Sequence, residues 1–279
     1  MPSSAAMDLE KTAAFQLGRG TSACLMLHGF TGSPWDLRPL GEVLAHNGYR
    51  VSAIQLPGHG STPQAMIGVG GADWKLAAQR ALLELEGFPQ VFLVGFSMGA
   101  LLALIAAAEH PDRVAGLALI APALRLRGVG PSLAKWGSSL GLLRLRPWVT
   151  KAGTDIEDPV QRDAAPLLPA FPSIRLLDLW RLQDEAVQAA HAVRAPVLIA
   201  MAHQDHVVSI HAGTALIRAL TQCPRVHWVR IERGFHIIPR DFGREILAEQ
   251  VVSFFGELRS NASDGRGAEH GKSQVPPGD

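Results

Sequence analysis

Three residues far apart in the chain have the types that covalent acyl chemistry requires. Ser97 stands in Gly95-Phe96-Ser97-Met98-Gly99, Asp205 in His203-Gln204-Asp205-His206, and His236 ends Glu232-Arg233-Gly234-Phe235-His236. A serine hydroxyl is a poor nucleophile near neutral pH. It needs a base within hydrogen-bond reach, and that base needs a carboxylate to orient it. The order Ser, Asp, His along the chain is the one expected when the serine sits on a strained strand-to-helix turn. The residues two before and two after such a serine must be small, and Gly95 and Gly99 meet that need. Asp205 would bind one ring nitrogen of His236, fix its tautomer and stabilise the imidazolium. Negative charge developing on a substrate oxygen needs fixed amide donors. The candidates are the backbone N–H groups of Met98, next to the serine, and of Phe30, in a loop that follows an earlier strand.

Each assignment has a competitor. Asp205 could simply cap the helix that follows it. His206 and His203 rival His236, although a residue adjacent to Asp205 cannot easily face its neighbour's carboxylate. Asp178 and Asp184 are alternative acids in an irregular segment. His28, His59 and His110 read as structural, His28 as shaping its own loop. The run from His203 to His206 has ligand-like residues but no second cluster to complete a metal site. No Gly-rich phosphate loop appears, so neither a metal nor a cofactor is expected.

The elements that must position these residues follow from pattern. The apolar runs 23–27, 49–56, 91–96, 114–121, 196–201 and 225–231 suit strands, several of them covered on both faces. Residues 12–17 are expected to form a first strand. Residues 36–47 show helical spacing through Leu37, Leu40, Val43 and Leu44, closed by Asn47-Gly48. Asp73 is expected to N-cap a helix carrying Trp74 and Leu82. Further helices are expected after Ser97 to His110, over 210–221, and over 240–258, the last packing through Ile246, Leu247, Val251, Phe254 and Phe255. Residues 61–71 read as loop, and 122–195 as helical pieces and prolines without a buried strand. Alternating strands and helices predict an α/β fold, a mostly parallel sheet with helices on both faces. Sites in such sheets form at the carboxyl ends of strands. The loop His28-Gly29-Phe30, Ser97, Asp205 and His236 all follow predicted strands.

Composition narrows the class. The chain has 279 residues, 47% hydrophobic and 18% charged, with a formal net charge of +1. It can bury a large core, and the charge argues against a nucleic-acid partner. Two cysteines, Cys24 and Cys223, make no disulfide framework. No basic-then-apolar leader opens the chain and no apolar run is long enough to span a bilayer, so a cytoplasmic location is expected.

The motifs resemble those of the α/β-hydrolases, in particular the branch of bacterial carboxylesterases and monoacylglycerol lipases. The likeness is carried by Leu27-His28-Gly29-Phe30-Thr31-Gly32-Ser33-Pro34, Leu56-Pro57-Gly58-His59-Gly60, Asp73-Trp74, the Gly95–Gly99 pentapeptide, His203-Gln204-Asp205 and the stretch from Phe235 to Asp241. It implies an α/β-hydrolase domain over residues 12–258, an N-terminal extension 1–11, a small helical cap inserted at about 123–195, and a tail 259–279 expected to be disordered. It also implies a serine esterase working through an acyl-enzyme, with Ser97 as nucleophile, Asp205 as acid, His236 as base, and Phe30 and Met98 as the oxyanion hole. Trp35 and Phe235 are then candidates to contact substrate. Members often have Gly where this chain has Ala100 and Gly-His where it has Phe235-His236.

The expected substrates are small esters or lipids, namely short or medium acyl esters or monoacylglycerols. A thioester, a lactone or an acyl acceptor other than water would need the same three residues. A ligand-binding protein on the same scaffold would not need them intact, and a peptidase on this fold often carries further domains. The insert adds a partner. From Arg113 to Lys151 there is no acidic residue, while Arg125, Arg127, Lys135, Arg144, Arg146 and Lys151 recur among leucines and tryptophans. Such a stretch suits peripheral contact with an anionic lipid surface. The favoured reading is a cap whose apolar side covers the pocket and whose cations are solvated.

Overall fold

Residues 8–127 and 147–263 are described by a computed structural model. Its centre is a seven-stranded sheet built from β1 (Phe15–Leu17), β2 (Ser22–Leu27), β3 (Tyr49–Ile54), β4 (Gln90–Phe96), β5 (Val114–Ile120), β8 (Val197–Ala202) and β9 (Val226–Ile231). The spatial order is β1-β3-β2-β4-β5-β8-β9, parallel throughout except for β1, which pairs antiparallel with β3. The expected mostly parallel α/β sheet is therefore present. Its first strand is shorter than expected and runs against the others.

Strand side chains alternate between two cores, as a two-residue period requires. Leu25, Leu27, Leu93, Leu117 and Ile199 face one core, with α3 (Gly71–Leu83), α4 (Met98–Glu109), α6 (Arg175–Ala190) and α7 (His211–Ala219). Cys24, Met26, Val94, Ala118 and Leu198 face the other, with α2 (Arg38–His46) and α8 (Arg244–Ser263). Every strand residue named here is fully buried, and each leucine contributes about 1.5–3 kcal/mol by leaving water. Helix α4 carries no polar face. Met98 to Ala107 are all buried, which places this helix inside the molecule and fixes the turn before it.

Some local expectations are corrected. The 36–47 segment splits into a 3-10 turn, Pro34–Leu37, followed by α2. Asp73 does not cap α3 from outside. It is the third residue of the helix, and its Oδ2 accepts the Gly70 N–H at 2.8 Å, so the cap is Gly70. A 3-10 turn, Pro63–Met66, interrupts the 61–71 loop. The last helix begins at Arg244 and runs to Ser263, past the expected boundary, and Ile246 lies on its exposed side.

Between β5 and β8 the chain leaves the sheet. Here the expectation of no buried strand is overturned by β7 (Ala170–Pro172), which is buried and pairs antiparallel with the part-exposed β6 (Trp148–Thr150), the two flanking a short α5 (Pro159–Ala164). The strands are only three residues long and give no periodicity to read. Most of the basic stretch, including Lys135, Arg144 and Arg146, lies outside the described residues, as do most of the expected N-terminal extension and tail. Among the described residues no helix is long and apolar enough to cross a membrane.

Candidate active site

Four parallel strands, β2 beside β4 and β8 beside β9 with β5 between the two pairs, end on one rim of the sheet. β2 runs out into His28-Gly29-Phe30, β4 into Ser97, β8 into the loop holding Asp205, and β9 into the loop holding His236. At the end of β4 the backbone turns at once into α4, and Ser97 takes φ 54° and ψ −114°, a conformation that non-glycine residues rarely adopt. Its N–H donates to Ile120 O at 2.9 Å, which pins the turn to β5. The two glycines are needed for space. A Cβ on Gly99 would lie 1.9 Å from Leu27 O, and one on Gly95 would lie 2.5 Å from Ala100 Cα. Helix α4 can approach β2 and β4 this closely only without those side chains.

The three side chains form one hydrogen-bonded chain. Ser97 Oγ donates to His236 Nε2 at 3.0 Å, and His236 Nδ1 donates to Asp205 Oδ2 at 2.8 Å. All are buried, with Asp205 at 1% exposure. The other oxygen of Asp205 accepts the N–H groups of Val207 and Val208, each at 2.7 Å. Burial pushes the Asp205 carboxyl up. The charge and hydrogen bond of His236 and the two amides outweigh it and hold the group below the ordinary carboxylate value. Asp205 is therefore an anion with both oxygens committed. Such an arrangement can orient a histidine, let it take the serine proton and stabilise the resulting imidazolium.

Ser97 and His236 open on a cavity of about 280 Å³ lined mainly by apolar groups, among them Phe30, Phe96, Leu126, Phe171 and Leu179. Phe30 N lies in the turn closed by the Gly32 N–H to Gly29 O bond of 3.1 Å. Met98 N is in the first turn of α4, where a helix leaves donors without internal acceptors. Met98 directly follows Ser97 in the chain, and Phe30 lines the cavity on which Ser97 opens.

Comparison with known proteins settles the family. The family described as serine aminopeptidase, S33, matches residues 19–242. The chain is an α/β-hydrolase of the S33 family. This hydrolase is similar to a thermostable monoacylglycerol lipase of Bacillus sp. strain H-257, with 27% identity over 87% of this chain and 94% of that one. It is also similar to a carboxylesterase of Bacillus subtilis, with 24% identity over 88% of this chain and 96% of the other. A solved structure from a study of two metagenome-derived lipolytic enzymes, LipS and LipT, superposes with a TM-score of 0.78 at 28% identity, covering 90% of this chain and 99% of that one.

The remaining expected residues of the hydrolase fall elsewhere. Trp35 does not line the cavity. It is buried in the 3-10 turn, with the Arg240 guanidinium 3.6 Å from its ring centre and donating to its carbonyl oxygen. Phe235 does not line it either. Adjacent to His236, it packs at 4.4 Å against the exposed ring of His206. Of the rival bases, His206 pairs with Asp155 at 2.8 Å and His203 with Arg230 at 3.2 Å. Asp178, a rival acid, pairs with Arg175 at 3.3 Å. Among the described residues no group of three His, Cys, Asp or Glu is placed to hold a metal.

Two aspartates to which the sequence assigned no role hold the loops. Asp155, between β6 and α5, accepts the N–H groups of both His236, at 3.1 Å, and His206, at 3.2 Å. Asp241, fully buried, accepts from the N–H groups of Phe235 at 2.8 Å and Glu157 at 2.7 Å. Both tie the insert to the loop carrying His236.

His28 and His59 are structural, as their positions suggested. Nδ1 of His28 donates to Gly29 O at 2.9 Å and Nε2 accepts the Leu56 N–H at 3.0 Å, so only the neutral ring fits. Burial, with His59 nearby, pulls His28 down to about 3, and burial pulls His59 down to about 4. The unfolded chain gains these protons below about 6.5 and the folded chain does not. Their contribution is thus full above 6.5 and declines as pH falls. Asp36, which burial pushes up to about 6, acts in the opposite direction between 6 and 3.8. Two groups against one leave a net loss on the order of 1.4 kcal/mol per pH unit between 6 and 4. Denaturant midpoints measured at pH 7 and 4.5 should show a clear fall; an unchanged or higher midpoint at 4.5 contradicts neutral buried imidazoles.

Proposed function

We propose that this S33-family hydrolase is a serine esterase that cleaves carboxylic esters, monoacylglycerols or short to medium acyl esters, through an acyl-enzyme. The observation that carries the reading is the hydrogen-bonded chain Ser97–His236–Asp205 at the mouth of an apolar cavity. Ser97 attacks the carbonyl carbon as His236 takes its proton. The N–H groups of Phe30 and Met98 hold the oxyanion. His236 then gives the proton to the departing alcohol. Water, activated by the same ring, releases the acid. The insert between β5 and β8, which supplies Leu126, Phe171 and Leu179 to the cavity, acts as its cap. The names of the Bacillus relatives, a monoacylglycerol lipase and a carboxylesterase, point to the same substrate class.

The test is hydrolysis of p-nitrophenyl esters from acetate to palmitate, with a monoacylglycerol alongside and labelling by a fluorophosphonate. Labelling without ester turnover redirects the reading to thioesters, lactones or acyl transfer, and absence of both removes it.

A further inference from the structure

Among the described residues that line the apolar cavity, one lysine or arginine is present. Lys151 follows β6, with its N–H held by Pro169 O at 2.9 Å, and its side chain reaches across to donate from Nζ to Thr31 Oγ1 at 2.8 Å. Thr31 is the residue after Phe30, and both Thr31 and Lys151 line the cavity together with Ser97 and His236. An ammonium has three donors. One is spent on a neutral hydroxyl, and among the described residues no carboxylate lies within ion-pair distance of Nζ. Asp36, the carboxyl facing this region, accepts the Ser33 N–H at 3.2 Å, and its larger electrostatic partner is Arg240. Burial lowers the Lys151 pKa, and Asp36 only partly opposes this. Among the described residues the site thus holds an ammonium with donors unspent, whose one electrostatic carboxyl partner, Asp36, lies beyond ion-pair distance, a costly arrangement unless a ligand supplies a nearer anion.

We propose that Lys151 determines specificity by receiving an anionic oxygen group of the substrate, a carboxylate or phosphate carried close to the scissile ester. The idea rests on the esterase reading above and narrows its substrate class. A charge-assisted hydrogen bond from a partly desolvated ammonium gives discrimination of about tenfold or more over a neutral analogue.

Two matched pairs separate the possible sources. On the acyl side, the p-nitrophenyl monoester of glutarate is compared with p-nitrophenyl valerate. On the alcohol side, a 1-acylglycerol 3-phosphate is compared with the same 1-acylglycerol. For Lys151→Met, which keeps an unbranched stem, kcat/KM should fall about tenfold or more on the anionic member of at least one pair. It should stay within about twofold on the neutral member. Lys151→Arg should recover part of the loss. A response confined to the first pair identifies an acyl carboxylate; one confined to the second identifies a phosphate on the alcohol. Were Lys151 only a strut between insert and loop, both members of a pair would fall together and labelling of Ser97 by a neutral fluorophosphonate would slow with them. That result, or no change in either pair, overturns the proposal while leaving the esterase reading intact. If wild-type protein turns over no ester and is not labelled, both readings fall.

Discussion

Ser97→Ala is expected to lower kcat on any ester substrate by about 10⁵- to 10⁶-fold and to abolish fluorophosphonate labelling. The fold should not change. Among the described residues Ser97 Oγ has one partner, His236 Nε2, and the backbone strain at φ 54° is set by the packing of α4 rather than by the hydroxyl. Alanine carries the same Cβ and occupies the same space. What survives is the slow reaction of water beside the amide donors and a positioned imidazole. A variant that keeps a tenth of the wild-type rate, purified away from host esterases, would mean that the acyl group never passes through this oxygen.

Asp205→Asn is the second large effect, a fall in kcat of about 10⁴-fold with little loss of stability. The geometry dictates which way the amide turns. Oδ1 of Asp205 accepts two backbone N–H groups at 2.7 Å, and an NH₂ there would face two donors. The asparagine oxygen must therefore stay on that side, which sends its NH₂ toward Nδ1 of His236. That nitrogen must then accept, so the ring proton moves to Nε2 and the ring can no longer take the proton of Ser97. The check is kcat together with a thermal melt. An asparagine variant with near-normal turnover would show that His236 does not depend on this carboxylate for its tautomer.

Much of the candidate site could be read from the chain because the fold collects it in a regular way. Parallel strands all end on one rim, so a reader who finds apolar runs followed by His28, Ser97, Asp205 and His236 has also found neighbours in space. The Gly95 and Gly99 positions were legible for the same reason: a strand meeting a helix head-on leaves no room for a Cβ. Trp35 and Phe235 were misplaced because proximity in sequence to a reactive residue says nothing about direction. One is drawn under the Arg240 guanidinium and the other onto the His206 ring. Asp155 had no signal, and neither Asp241, quoted only as the end of a motif, nor Lys151, quoted only as a cation of the insert, was given a place in the site. Each makes a contact across 80 or more residues, Asp155 and Asp241 to amides and Lys151 to a hydroxyl, and single polar contacts at that separation leave no pattern in the local sequence. The three-residue strands β6 and β7 escaped for want of length.

The double grip of Asp155 on the amides of His206 and His236 has a mechanical result. On the proposed reading, the segment between β5 and β8 and the histidine that moves the proton are not independent parts. If that segment swings away from the mouth, it takes with it the acceptor that steadies the imidazole's own backbone. Passage of a substrate and readiness for reaction then become a single event. An engineer who wants a different specificity by transplanting this segment must transplant its aspartate in register, or the transferred roof will leave the histidine beneath it unmoored.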